Sequence, residues 1–361
     1  MFSLFGNQKI NAFGLDVSDV SIKVMQLEKV KSSLNLRAYS NYPLSGKLFN
    51  NHMIISEQRL ADSINRAIEE ARNVNTKYVV ASVPEMKSFV RVIYIPRMPE
   101  SEIVNALPWE LEQNIPVPID QVYLDWQIIK EVDDRLELLV TAAPKDYVDS
   151  LAETLELAKL KPVAFELESQ ATARAVVGSE DADRAILILD MATLQTSFIV
   201  VNNSALEYTS SIPVAGRAFT ESIARNLGVP ASEAEKIKQE LGLVEESKRG
   251  NIKRAILPML DNIVDEIRNV VRFHEEHANP KSRIDKIYLS GGSAKLMGIA
   301  DYISARLNLG ADRPLGKVVL GNPWINVIQT TDHQLPFSKE EALEYSTVAG
   351  LAIRGVNYET D

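Results

Sequence analysis

The sequence predicts an α/β protein of two similar halves facing each other across a cleft, with a compact inserted subdomain in the first half. Three observations predict it. A strand that ends in aspartate and turns back through small or hydroxyl residues occurs twice, at Phe13–Lys23 and at Ile188–Ser197. Between about residues 85 and 163 the texture changes to a β-β-α-β-β-α pattern. The 361-residue chain is 45% hydrophobic and 24% charged, enough apolar material for two or three domains.

In chain order, Ala12–Asp16 and Ser21–Leu27 read as strands around a tight turn, and Leu34–Tyr39 as a third. Ser56 stands as the N-cap of a helix whose apolar Leu60, Ile64, Ala67, Ile68 and Ala71 share one face. Tyr78–Val83 is an apolar, β-branched strand that Pro84 ends. In the insert, Phe89–Ile95 is a strand and Glu102–Asn114 a helix lying between Pro99 and Pro116. Pro108 removes a hydrogen bond inside that helix and kinks it. Val122–Lys130 and Leu136–Ala142 form a hairpin tipped by Asp133-Asp134, and Asp146–Lys159 is a second helix through Val148, Leu151 and Leu155. The second half restarts with three strands, Arg184–Asp190, Ser197–Val201 and Leu206–Ile212. A helical tract from Arg217 to Glu276 follows, broken at Gly228-Val229-Pro230, Gly242 and Gly250. Lys286–Ser290 is strand, Ala294–Leu307 helix, and Ser338-Lys339-Glu340-Glu341 a capping box that opens the last helix.

Composition excludes several functions. A net charge of −10 without any Lys/Arg run argues against nucleic acid as a partner. The absence of cysteine removes disulfides, thiolate zinc sites and thiol nucleophiles, and suits a reducing compartment. No apolar run approaches the ~20 residues of a bilayer span. Met1-Phe2-Ser3-Leu4-Phe5 is too short for a signal-peptide core and lacks its basic start, so a cytosolic chain is expected. His274 and His277 are three residues apart, not the four of the zincin motif, and are expected on a solvated helix end. Trp109, Trp126 and Trp324 lie on three different elements and are expected to be packing residues.

The repeated hairpin carries the chemistry. Asp16 and Asp190 occupy equivalent places, backbone amides of both turns can point at one anion, and Ser18, Ser21, Thr193 and Thr196 can add hydroxyl donors. Two carboxylates near phosphate call for a cation, and Mg²⁺ takes one or two carboxylates while keeping its waters. Lys23, on the strand leaving the first turn, offers a point charge to β/γ oxygens. Ile287–Gly298 then runs a strand into Gly291-Gly292 and a helix start, a place where backbone can approach a flat base or a ribose phosphate. Each hairpin alone reads as an ordinary turn; the pair with Lys23 and the Gly-Gly turn favours a nucleotide. No GxGxxG follows a strand and no GxxxxGK[ST] occurs, which removes the Rossmann and P-loop readings.

Those three segments resemble the phosphate-1, phosphate-2 and adenosine motifs of the actin/Hsp70/sugar-kinase ATPase superfamily. Within it the chain resembles the PilM family of type IV pilus assembly proteins, related to the FtsA cell-division family. The likeness rests on Gly14-Leu15-Asp16 through Val24, on Trp109-Glu110-Leu111-Glu112 with Ile115-Pro116, and on Pro213-Val214-Ala215-Gly216 with Thr220. It continues through Ala234–Lys238, Gly291–Ala294, Asn322-Pro323-Trp324 and Ala349–Gly355. The resemblance implies an actin-like (ribonuclease H-like), duplicated two-domain fold with a nucleotide cleft. Residues 1–84 would begin domain I, 85–163 would be an inserted subdomain of the SHS2 type, and 164–183 a helix completing domain I. Residues 184–337 would form domain II, and 338–361 a C-terminal helix returning to domain I.

The resemblance also implies roles. ATP and Mg²⁺ would be the cofactors, with Asp16 and Asp190 holding Mg²⁺ through water. Ser18, Ser21, Lys23, Thr193, Gln195 and Thr196 would cradle phosphates, and Gly216 would sit near them on the far wall. Glu235 and Lys238, one helical turn apart, would reach the ribose and base edge. Gly291, Gly292 and Ser293 would back the adenosine, with Lys295 at the rim. Ser18 and Ala192 stand where the superfamily has glycines, which predicts restricted φ > 0 and weakened or altered nucleotide binding. No residue is marked for positioning an attacking water, so hydrolysis is expected to be slow or absent. The implied partner is the N-terminal cytoplasmic tail of a PilN-like bitopic membrane protein, bound between the insert and the first core subdomain. Other inner-membrane pilus components and self-association are further implied contacts. The protein would thus be peripheral at the cytoplasmic face of the inner membrane. The competing classes are an FtsA-like or other filament-forming actin homologue and a sugar kinase. Gly355–Asp361 shows no apolar face for a membrane helix, which favours the pilus reading over FtsA.

Overall fold

The computed structural model describes residues 10–31, 33–85, 88–111, 118–243, 252–277, 282–308, 316–327, 336–356 and 358. Glu112, Ile115, Pro116 and Gly250, singled out above, lie outside them, as do the ends Met1–Phe5 and 359–361. The chain divides into two units. The first contains residues 1–174, 327–330 and 347–361, and the second residues 175–326 and 331–346.

The first unit opens with β1 (Phe13–Val17), β2 (Ser21–Val30) and β3 (Ser33–Pro43), each antiparallel to the one before. The small hairpin β4 (Phe49–Asn50) and β5 (Met53–Ile54) leads to α1 (Glu57–Ala71). Leu60, Ala61, Ile64, Ala67 and Ala71 are buried along α1; Ile68 is half-buried, and Ser56 makes no side-chain cap. After the crossover through α1, β6 (Tyr78–Val83) lies parallel to β1.

The insert consists of β7 (Phe89–Pro96), α2 (Glu100–Leu111), β8 (Val122–Val132), β9 (Arg135–Pro144) and α3 (Lys145–Leu157). Its described elements therefore run β-α-β-β-α. The expected extra strand before α2 is not there among the described residues, because the preceding strand, β6, belongs to the core sheet. Strand order is β7-β9-β8, and Ile103, Leu107 and Leu111 of α2 seal one face over Leu136, Leu138 and Val140. Pro108 stays inside α2, as expected. β10 (Lys161–Leu167) returns to pair with β6, and α4 (Glu168–Val176) follows. The first core sheet thus has the order β10-β6-β1-β2-β3.

The second unit repeats this plan. β11 (Ala185–Met191), β12 (Thr196–Asn202) and β13 (Ala205–Ile212) form an antiparallel meander. Helices α5 (Gly216–Leu227), α6 (Ala231–Leu241) and α7 (Ile252–His277) lead to β14 (Ile284–Ser290), parallel to β11. The expected helix over Ala294–Leu307 is shorter: a 3-10 turn spans Gly292–Lys295, and α8 (Ile299–Asn308) starts after Gly298. β15 (Lys317–Leu320) adds in parallel, giving β15-β14-β11-β12-β13, the topology of the first sheet strand for strand. Leu187, Leu189, Phe198, Ile256, Ile263 and Ile287 centre its core.

The capping box is present: Ser338 accepts from the Glu341 N–H while the Glu341 carboxylate accepts from the Ser338 N–H. It opens α9 (Lys339–Ala342), which passes through a 3-10 turn into α10 (Ser346–Val356). Within the first unit α10 lies against β1 so closely that a Cβ at position 14 would meet the Val348 carbonyl oxygen at 2.6 Å. Only glycine fits there. The Ala12 N–H donates to the Gly355 oxygen at 3.1 Å, and buried Glu166 accepts from Arg174 and pairs with Arg354 at 3.3 Å.

Candidate functional site

In the first unit, Asp16 and Lys23 are cross-strand partners of β1 and β2, so their side chains share a face. Lys23 Nζ lies 3.2 Å from Asp16 Oδ2. The other oxygen, Oδ1, accepts from the hydroxyl of Ser82 at 3.0 Å, and Ser82 Oγ in turn accepts the Val17 N–H at 3.1 Å. Ser82 is the penultimate residue of β6 and was not among the residues the sequence marked. Asp16 is buried, and this pairing makes its charge tolerable.

The turn that follows is closed by the Ser18 N–H to the Ser21 oxygen at 3.0 Å. Ser18 Oγ accepts from the Ser21 N–H at 3.1 Å and donates to the Ser21 oxygen at 2.9 Å. A serine hydroxyl binding its own turn is the ST motif. Asp19 carries His52 at 2.9 Å. Ser18 is not at positive φ, so the strain expected from a side chain in a glycine position does not arise.

The second unit repeats the geometry with other side chains. Asp190 is the cross-strand partner of Ser197, as Asp16 is of Lys23. The Ala192 N–H closes the turn on the Gln195 oxygen at 3.0 Å, matching Ser18 to Ser21. Ala192 is likewise not at positive φ. Its carbonyl accepts from Ser293 Oγ at 2.6 Å and from the Gly216 N–H at 3.4 Å, which ties the hairpin to the Gly-Gly turn and to the start of α5. Thr193 is exposed, Gln195 half-buried, and Gln195 Oε1 has no hydrogen-bond partner among the described residues. Thr196 is fully buried and donates to the Val214 oxygen at 2.7 Å, so its hydroxyl holds the 213–216 turn.

α6 presents Glu235 and Lys238 to α5. Lys238 is buried, and its ammonium donates to the Gly216 oxygen at 3.1 Å, Thr220 Oγ1 at 2.9 Å and Glu235 Oε2 at 2.7 Å. Glu235 also accepts from Thr220. Burial raises the Glu235 pKa, but the hydrogen bonds from Lys238 and Thr220 outweigh it and hold the carboxyl below the ordinary glutamate value. Gly291 has φ +83°, and a Cβ there would stand 2.5 Å from the Met191 oxygen and 2.6 Å from Asp190 Oδ1. The Gly-Gly turn therefore comes against the Asp190 carboxylate in a way no other residue allows. Lys295 is exposed and pairs with Glu344 at 3.3 Å.

The predicted residues thus form two groups. Asp16, Ser18, Ser21 and Lys23 gather in the first unit; Asp190, Gln195, Gly216, Glu235, Lys238 and Gly291–Ser293 gather in the second. Gly292 opens a 3-10 turn of four residues, so the expected α-helix N-terminus does not follow the glycines. The glycine cradle at position 291 and the idle Gln195 oxygen fit a polar ligand. Among the described residues no cluster of three metal-ligating side chains occurs.

Two other expectations fail. His274 is buried, not solvated: its Nδ1 lies 2.8 Å from Glu207 Oε2, while Phe273 packs on Tyr208. Trp324 is stacked on Phe337, and Trp126 packs on the insert core, but Trp109 is 75% exposed on the side of α2 away from its buried stripe. Periodicity locates a helix face and does not say what covers it.

The model of the family described as type IV pilus assembly protein PilM matches residues 14–356. Among curated relatives, the chain is similar to the cell division protein FtsA of Enterococcus hirae, 22% identical over 384 residues, covering 93% of this chain and 86% of the relative. FtsA of Bacillus subtilis is 24% identical over 257 residues, covering 63% of this chain and 57% of the relative. Among solved structures, a PilM-PilN type IV pilus biogenesis complex aligns with TM-score 0.82 and 27% identity over 97% of this chain and 99% of that one. MreB5 of Spiroplasma citri bound to ADP aligns with TM-score 0.57 and 11% identity over 95% of both chains, a likeness of fold. The expected actin-like, duplicated α/β architecture is the one found.

Proposed function

Since the chain belongs to the family of the type IV pilus assembly protein PilM, we propose that it is an ATP-binding, actin-like scaffold of a type IV pilus or related secretion system. The observation that carries the nucleotide part is the repeated hairpin: the same turn closure, 18 to 21 and 192 to 195, follows an aspartate at the same register position. In this reading the first unit offers Asp16, Ser18, Ser21 and Lys23 to the phosphates. The second offers Asp190, Thr193, Gln195, Gly216 and the Gly291–Ser293 turn, with Glu235, Lys238 and Lys295 toward the nucleoside. Mg²⁺ would neutralise phosphate charge, and Asp16 and Asp190 are the residues that would hold it through water. Lys23 would exchange Asp16 for a phosphate oxygen, and neither Ser18 nor Ala192 stands at positive φ in its turn.

The insert serves as the partner-binding part, and residues 85–163 form the SHS2-type subdomain within an actin-like first domain. Among the described residues no helix is long and apolar enough to cross a membrane. The solved relative in a complex with PilN supports a PilN-like cytoplasmic tail as the partner. Within the first unit, α3 packs on α1, with Ser150 donating to Glu57 at 2.8 Å, which sets the insert firmly beside the core. Calorimetric titration with ATP, with and without Mg²⁺, tests the first half of the proposal; no Mg²⁺-dependent binding overturns it. Polarisation titration with a labelled PilN-like N-terminal tail tests the second. The likeness to FtsA supports an alternative, a filament-forming protein. ATP-dependent sedimentation would favour that reading.

A further inference from the structure

The two sheets share one strand order, so every residue of the first hairpin has a counterpart in the second. Ala81 of β6 is the register partner of Leu15, which puts the next residue, Ser82, beside Asp16. Ser290 of β14 is the register partner of Asp190. Ser82 and Ser290 are therefore the same position of the repeated fold, on parallel strands, with the side chain on the face of its aspartate.

They are employed differently. The Ser82 hydroxyl donates to Asp16 and accepts the Val17 N–H. Ser290 is fully buried, yet its hydroxyl has no hydrogen-bond partner among the described residues. Gln195 Oε1, in the turn after Asp190, also has no hydrogen-bond partner among the described residues. A buried hydroxyl without a partner is a standing cost that alanine would remove. A buried, partnerless hydroxyl at the register position of a carboxylate is suited to donate to that carboxylate when a ligand is bound.

We infer that Ser290 is a positioning residue for the Asp190 carboxylate, a donor engaged when nucleotide and Mg²⁺ are bound. The inference rests on the nucleotide reading above. In that state Ser290 donates to one Asp190 oxygen, as Ser82 does to Asp16. The bond fixes the carboxylate so that its other oxygen faces the hydrated ion.

The test uses the full chain with Ser290→Ala and, for comparison, Ser82→Ala. Thermal unfolding is measured without ligand, and ATP affinity by calorimetry with Mg²⁺ and in EDTA. Ser290→Ala is expected to leave the midpoint unchanged or higher, yet to weaken Mg²⁺–ATP binding about tenfold, with no change in EDTA. Ser82→Ala is expected to lower the midpoint. A purely structural serine cannot separate stability and affinity in this way. The inference is overturned if Ser290→Ala lowers the midpoint as far as Ser82→Ala, since the hydroxyl is then already satisfied. It is also overturned if affinity with Mg²⁺ is unchanged. Absence of Mg²⁺–ATP binding by the wild-type chain would instead remove the nucleotide reading on which it stands.

Discussion

The two hairpins share a fold and differ in how they handle charge. At the position across from Asp16 the first carries Lys23; across from Asp190 the second carries Ser197. The buried lysine of the second unit sits on α6 instead, where Lys238 is saturated by Gly216, Thr220 and Glu235. The first hairpin thus sets a cation across from its aspartate and the second a hydroxyl, while Lys238 ties α6 to α5. Duplication of a backbone does not duplicate its electrostatics. The first aspartate belongs to the folded core as much as to any ligand, while the second is half-exposed beside a glycine cradle.

If that contrast is right, Asp16→Ala should be the costliest change. It removes the carboxylate that accepts from both Lys23 and Ser82, with the Lys23 side chain only 15% exposed, and is expected to lower unfolding free energy by about 3 kcal/mol in urea titration. Asp190→Ala should lose distinctly less stability and show mainly as weaker nucleotide binding; equal losses would break the comparison. Next comes Lys238→Met, which leaves three acceptors short of a donor and should cost about 2 kcal/mol, read by the same titration.

Ala192→Gly addresses the glycine question directly. Because Ala192 is not at positive φ and its N–H and carbonyl are both bonded, the substitution should cost about 0.5–1 kcal/mol of stability and fail to tighten nucleotide binding. Tighter binding by calorimetry would show that the methyl group does crowd the phosphates. The smallest effect is pH-dependent. The Glu235 carboxyl is depressed in the folded chain, so its contribution is present above its unfolded value of about 4.3 and lost as pH falls through the folded value. Glu235 is partly open to solvent, which screens that contribution to under about 1 kcal/mol. Glu235→Gln should flatten the fall in unfolding midpoint between neutral and acid pH, and an unchanged fall would place the acid-sensitive group elsewhere.

Much of this was legible in the sequence because it is local. The strand-aspartate-turn unit, the apolar stripe of α1, the Asp133-Asp134 tip and the capping box at Ser338 depend on residues within a few positions of one another. The repeat could be read because both copies keep that local pattern. What was not legible depends on distant partners. Ser82 reaches Asp16 across 66 positions, and nothing in its own strand marks it. Thr196 lies in the right loop, but strand alternation turns it inward to Val214. His274 looked solvated within a charged run because Glu207 is far off in the chain. The insert was given one strand too many because its apolar runs carry no sign of which sheet they join.

The contact of α10 with β1 has a consequence for how the molecule is made. Arg174 and Gly350 are hydrogen-bonded across 176 positions, and Ala12 is bonded to Gly355. β1 is the central strand of the first sheet, yet part of its cover is a helix synthesised after the whole second unit. The second unit can condense as it leaves the ribosome, whereas the first must wait with an apolar strand exposed. Its closure brings in the longest loops of the chain and should be the slow step of folding. The glycines along that contact admit the helix late, since a surface without side chains to interdigitate can still be docked against once everything around it has set.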